Sequence, residues 1–139
     1  MKKYKNKNVR NELLRECYNK LNEGAFENKL PKDMKLIWNS KLTATGGYCK
    51  NSIKDQTSQI ELSTKVCDTP ERMRDVLAHE MCHAATFLLN GILDGHGSIW
   101  KNWAARVNFT FKQIPKITVY HSYQIKKKFI YKCQRCLSE

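Results

Sequence analysis

The feature that most constrains the fold of this chain is an apolar stretch, residues 76–93, that contains His79, Glu80 and His83. Its length and composition predict a helix that is buried on most of its circumference. Residues four apart on a helix share a face, so the two imidazoles lie side by side. Burying these polar groups without partners would cost several kcal/mol. One bound metal ion would satisfy them together.

The spacing is that of the H-E-x-x-H motif, which is typical of zinc-dependent peptide hydrolysis. The alternative is that two histidines merely fall four residues apart. At ordinary residue frequencies this pattern arises by chance in about one of a few hundred chains of this length. We therefore interpret His79 and His83 as metal ligands, and Glu80 as the catalytic base that takes a proton from water.

A catalytic zinc ion takes three protein ligands and keeps one position open for water. The chain has four histidines, so His96 and His121 remain as candidates for the third ligand. Glycines on both sides of His96 allow a tight reversal after the helix, and Ser98 is a candidate N-cap of a second helix. We favour His96 because a short helix-turn-helix can hold it rigidly. Asp94 is a further alternative, although a cap or an outer partner of an imidazole is its more usual role.

The segment HEMCHAATFLLNGILDGHGSIWKNWA resembles the active-site segment of the SprT-like zinc metalloproteases. It is similar above all to the branch of germ cell nuclear acidic protein, with Spartan as a more distant relative. The resemblance also covers IWNSKL with GGYC, IELSTKVCD and ITVYHSYQIKKKFIYKCQRC, and so extends from about Asn8 to Cys136. It implies that His79, His83 and His96 bind zinc and that Glu80 is catalytic.

The resemblance further implies a nuclear, chromatin-associated protease that is stimulated by DNA and repairs DNA–protein crosslinks by degrading the trapped protein. The implied cofactor is one catalytic Zn²⁺, with a second, structural zinc ion only in a longer chain. The implied partners are DNA of single-stranded character, bound without sequence specificity, and crosslinked protein substrates. We expect no membrane association, and we expect a monomer.

Cys133 and Cys136 form one C-x-x-C pair near the end of the chain. A structural zinc ion normally takes two such pairs, and the other four cysteines are scattered singly. We therefore interpret the chain as a fragment that ends inside a zinc ribbon, with this pair free of metal. An ordinary pair of terminal thiols is the alternative. The long acidic regions of larger family members are also absent from this basic chain.

The formal net charge of +12, from 25 basic and 13 acidic residues, favours a polyanionic partner. The basic residues near the N-terminus are interpreted as a solvated tail. A second basic segment alternates cations with aromatic rings, which suits single-stranded nucleic acid because cations neutralise phosphates and rings stack on bases. An edge strand protected from aggregation by its lysines is the alternative. This segment contains Lys126, Lys127, Lys128, Phe129, Tyr131 and Lys132.

His121 and Tyr123, which precede this basic segment, are weaker candidates for a role at the catalytic site. His121 and Tyr123 can stabilise the oxyanion or contact the substrate. For His121, an ordinary hydrogen-bonded surface histidine is an equal alternative. The tryptophans Trp38, Trp100 and Trp103, like Cys82, are expected to be core residues.

We expect an α+β fold with a zincin-like metalloprotease core over residues 9–115. A basic flexible tail (1–8) precedes it, and a C-terminal hairpin with half of a zinc ribbon (116–139) follows. Within the core, a helix at residues 9–21 ends at Gly24, and a cap at Asp68 or Thr69 begins the H-E-x-x-H helix. Between them lies a small, mostly antiparallel sheet with strands at 36–38, 42–49 and 56–63.

The strand at residues 56–63 is our candidate for the sheet edge on which the substrate adds as a further strand. Two other functions are also consistent with the sequence. One is a non-catalytic, zinc-containing nucleic-acid-binding module, which would have a closed site with four protein ligands. The other is a metal-dependent hydrolase of a different bond, such as a small amide or ester. The complete ligand set places the protease first.

Overall fold

The structure, a computed structural model, describes residues 4, 6–93, 95–112 and 117. The α+β class is as predicted, and none of the described helices is long and apolar enough to cross a bilayer. The predicted C-terminal hairpin and half ribbon lie outside the described residues, apart from Ile117. In chain order the elements are α1 (Lys7–Ala25), β1 (Lys35–Asn39), β2 (Gly47–Ser52), β3 (Thr57–Ser63), α2 (Pro70–Leu88) and α3 (Ser98–Thr110).

Helix α1 begins after Asn6, whose side-chain oxygen accepts a hydrogen bond from the Val9 N–H at 3.0 Å. The prediction that Gly24 ends this helix is wrong, because the helix continues through it to Ala25. Phe111 packs so closely here that a Cβ atom on Gly24 would lie 2.5 Å from its ring. The glycine therefore serves close packing between α1 and the end of α3. The buried apolar residues of α1 are Leu14, Tyr18, Leu21 and Ala25.

Asn22 holds the chain that leaves α1. Its side-chain amide donates to the Leu30 carbonyl at 2.9 Å and accepts from the Leu30 N–H at 3.1 Å. Asn22 is only 2% exposed, so both backbone groups of Leu30 are satisfied inside the protein. This pairing fixes the turn between α1 and the sheet.

The sheet has the order β1-β3-β2, with β1 parallel and β2 antiparallel to β3. The prediction of a mostly antiparallel sheet is therefore wrong, because one of its two pairings is parallel. The expectation that residues 56–63 form an edge strand is also wrong, because β3 lies at the centre. Ile60 and Leu62 on β3 are fully buried, which suits the central position beneath α2.

Helix α2 begins at Pro70, and Thr69 is its N-cap with its hydroxyl accepting from the Arg72 N–H at 3.3 Å. The Tyr4 hydroxyl donates to the carbonyls of Cys67 and Thr69, at 3.1 and 2.9 Å. The prediction of a helix buried on most of its circumference is confirmed, since nearly every residue from Val76 onward is buried. The helix ends at Leu88, earlier than the apolar stretch does.

We predict that Asn22→Ala lowers the free energy of unfolding by about 2–4 kcal/mol, because two buried backbone groups of Leu30 lose their partners. Urea denaturation of the metal-free protein measures this change. Asn11→Ala, at an exposed position of the same helix, is the matched control and should change stability by less than about 0.5 kcal/mol. Equal effects of the two substitutions would contradict a structural role for the Asn22 amide.

Candidate metal centre

Three histidines meet at one place in the structure. His79 and His83 lie on α2, and His96 lies in the loop before α3. One ring nitrogen from each lies within 4.8 Å of the other two. The Nε2 atoms of His79 and His96 are 3.0 Å apart. The sequence prediction that these three residues come together therefore agrees with the geometry.

The loop after α2 carries His96 back towards the helix. Gly91 has a φ of 68° and Gly95 a φ of 65°, left-handed conformations that favour glycine. The Gly91 N–H donates to the Phe87 carbonyl at 2.9 Å, and the Ile92 N–H donates to the Thr86 carbonyl at 3.1 Å. These bonds satisfy carbonyls at the end of the helix while the chain reverses.

Helix α3 supports the far end of the loop. Its N-cap is Gly97 rather than Ser98, one residue earlier than predicted, and no side chain caps it. The Trp103 indole donates to the Asn90 side-chain oxygen at 2.8 Å, which ties the helix to the start of the loop. Asp94, the alternative ligand, lies outside the described residues.

The three imidazoles fit a metal ion. With Zn–N bonds of about 2.0–2.1 Å and tetrahedral angles, two ligand nitrogens lie about 3.3 Å apart. The 3.0 Å separation of the His79 and His96 nitrogens is close to this distance. His79 and His96 are buried and His83 is partly exposed, so the group opens on one side. Three neutral nitrogen donors are a suitable ligand set for Zn²⁺.

Glu80 lies next to this group and is 0% exposed. At about 100° per residue, Glu80 projects about 100° from His79 and about 60° from His83 around the helix axis. A carboxylate is therefore buried at the flank of the histidine pair. Its role as the base remains a prediction.

Two buried thiols, Cys67 and Cys82, lie near Glu80 but are not part of the group that the three histidines form. Burial raises the pKa of Cys67 and of Cys82, and the carboxylate of Glu80 raises both further. Both shifts favour the protonated thiol, whereas the thiolate is the form that binds metal. Cys82 is a core residue, as predicted.

Trp100 is a neighbour of the site that sequence reasoning assigned only to the core. It is 1% exposed, and its indole contacts all three imidazole rings. The signal for this contact was its place in the sequence, four residues after His96 and in the first turn of α3. Trp38 and Trp103 are partly buried against the core, in line with the prediction.

The remaining predicted site residues lie outside the described residues. These are the possible oxyanion or substrate residues His121 and Tyr123, the half-ribbon pair Cys133 and Cys136, and the nucleic-acid segment Lys126, Lys127, Lys128, Phe129, Tyr131 and Lys132. Their roles stay predictions.

Comparison with known proteins identifies relatives over nearly the whole chain. The family model described as SprT-like matches residues 14–121. Germ cell nuclear acidic protein of Homo sapiens is 37% identical over 97% of this chain, and that of Drosophila melanogaster is 41% identical over 91%. Germ cell nuclear acidic-1 protein of Caenorhabditis elegans is 45% identical over 73% of the chain. The aligned region covers only 21%, 12% and 19% of these relatives, respectively.

We predict that the chain binds one equivalent of Zn²⁺ and that His96→Ala weakens this affinity by more than the roughly 10–100-fold typical for loss of an outer hydrogen-bond partner. Competition with a chromophoric chelator measures the affinity. His121→Ala and Asp94→Ala replace the two alternative ligands and serve as controls. If either control weakens binding as much as His96→Ala does, the proposed ligand set is wrong.

Proposed function

The chain belongs to the SprT-like family, and on that premise we propose that it is a zinc-dependent endopeptidase, stimulated by DNA, that degrades proteins covalently crosslinked to DNA. The observation that carries the proposal is the group formed by His79, His83 and His96 with Glu80 buried beside it. This combination supplies both a metal site and a proton acceptor.

The number of ligands favours a catalytic over a structural metal ion. Among the described residues, the group comprises three histidines and no fourth side-chain ligand. Structural zinc sites are closed by four protein ligands, whereas catalytic sites keep one position for water or substrate. A non-catalytic zinc-containing module would not need Glu80 at this position. The geometry therefore supports the protease more than the nucleic-acid-binding module.

In the proposed reaction, the histidines and Glu80 have different roles. His79, His83 and His96 would hold a zinc ion, which when bound supplies Lewis acidity towards water and the peptide carbonyl. The Glu80 carboxylate accepts the proton of the attacking water. It then returns that proton to the leaving nitrogen as the C–N bond breaks, so that the amine departs neutral.

Strand β2 is the sheet edge that suits an extended substrate. It pairs on one side with β3, and Gly47 at its start lies against α2. A Cβ atom on Gly47 would lie 3.1 Å from Val76 Cγ1, one helical turn before Glu80. A peptide that adds to β2 as a further strand would therefore pass close to the catalytic group. The other edge strand, β1, carries Trp38, which packs against Arg10 and Tyr4.

The charge of the chain supports the DNA part of the proposal. A net charge of +12 attracts polyanions, and the run from Lys126 to Lys132 combines cations with aromatic rings. Backbone and stacking contacts carry little base specificity. The relatives are named as nuclear proteins, and we extend a nuclear location to this chain.

We predict that Glu80→Gln lowers kcat/KM for protein cleavage by about 10²–10⁴-fold, because the general base is lost. Zinc and DNA binding should be unchanged, since neither uses this carboxylate. Cleavage of a protein crosslinked to single-stranded DNA, compared with the same protein free, is the assay. Glu71→Gln, in the first turn of α2, is the control. Undiminished cleavage by Glu80→Gln would rule out the mechanism.

We predict that the logarithm of the binding constant for single-stranded DNA falls linearly with the logarithm of the salt concentration, with a slope of about −0.7 for each phosphate that the chain neutralises. Replacing Lys126, Lys127 and Lys128 by Ala should make the total slope shallower by about 2 and weaken DNA-stimulated cleavage. A triple alanine variant at Lys2, Lys3 and Lys5 removes the same charge and is the matched control. Equal losses in the two variants would indicate a general charge effect instead of a binding segment.

A further inference from the structure

Within the part of the chain that the structure describes, Trp100 is the residue whose ring contacts each of the three histidine rings. Its indole lies 4.9 Å from the His79 ring, 5.6 Å from the His83 ring and 4.6 Å from the His96 ring, measured between centroids. The histidine rings themselves are 4.9–5.2 Å apart. The four rings therefore form one cluster, with the indole as its wall on the α3 side.

The contacts fix ring orientation as well as position. The indole meets the His96 ring edge-on, at an interplanar angle of 75°, and is tilted by 59° and 37° to His79 and His83. Edge-to-face arrangements are favoured over face-to-face stacks because of the ring quadrupoles. The indole N–H also lies 3.4 Å from the His79 carbonyl, which relates Trp100 to the backbone of α2.

His96 depends most on such support. It lies in a loop with left-handed glycines at Gly91 and Gly95, whereas His79 and His83 are fixed by helix α2. Trp100 lies on helix α3 and its ring is nearest to that of His96. A ligand held in its bound orientation before the ion arrives loses less entropy on binding.

We propose that Trp100 is the positioning residue of the metal centre: its indole holds the three imidazoles, and His96 above all, in the orientation that binds the ion. The role rests on the proposed metal site. It makes Trp100 a determinant of metal affinity and a fluorescent reporter of occupancy, without contact to the substrate.

The first test measures zinc affinity of the full chain by competition with a chelator. Trp100→Leu keeps an apolar side chain without a ring, and should weaken binding by about 10–100-fold, as loss of an outer partner does. Trp100→Phe restores a ring and should recover part of that loss. Trp38→Phe, away from the histidines, should retain the parental affinity. Parental affinity in Trp100→Leu would overturn the proposal.

A second test keeps Trp100 in place and so does not depend on its variants folding. In the double variant Trp38→Phe/Trp103→Phe, Trp100 is the remaining tryptophan. Binding of one equivalent of Co²⁺ should strongly quench its emission. Unchanged emission at full occupancy would overturn the proposal. A parent chain that binds neither Zn²⁺ nor Co²⁺ would contradict the proposed function itself, which separates the two failures.

Discussion

The structure depends on one physical constraint: polar side chains, one of which could help to hold a metal ion, are buried within a helix that is otherwise apolar. His79 and Glu80 are almost fully enclosed on α2, in the middle of the core. Their burial is unfavourable unless partners compensate the lost hydration. A metal ion bound by the native state alone stabilises it by RT ln(1 + [L]/Kd), about 2.7 kcal/mol at a concentration of 100 Kd. That is a large part of a typical unfolding free energy, so an ion bound at the three histidines would also stabilise the fold.

The sequence predicted what is local and left open what depends on topology. The His79–His83 pair follows from helical spacing alone, and Thr69 and Pro70 mark the helix start by their cap chemistry. His96 could be found because the chain has few histidines and flanking glycines indicate a reversal. The order of the strands could not be predicted, because polar and apolar residues alternate along β3 as they would in an edge strand. Its central position results from its pairing with β1 on one side and β2 on the other, and no local sequence pattern encodes these pairings.

Three residues have contacts that the sequence analysis did not predict, and they share a physical cause. Gly24 was predicted to end its helix, yet it lies within α1, and the Phe111 ring occupies the space that a side chain at this position would need. Trp100 was correctly predicted to be a core residue, and its contact with the histidines arises only because the loop returns His96 to α2. In the sequence, Asn22 is an ordinary polar residue of a helix, although its side chain forms hydrogen bonds with the backbone N–H and carbonyl of Leu30, eight residues later. In each case a distant contact decides the role.

The proposed protease would need a means of selecting its substrates. Two cavities of the described residues, about 340 Å³ between α1 and α2 and about 490 Å³ at one end of the sheet, are lined by none of the three histidines. An edge strand such as β2 recognises peptide backbone, which every protein offers. Under the proposed function, bringing the substrate near the site would add selectivity. If both were bound to the same DNA, as proposed, the substrate would be at an effective concentration that can reach the millimolar range with short flexible linkers. At such concentrations weak strand pairing would be enough for the proposed cleavage, whereas a free protein at micromolar concentration would stay largely unbound.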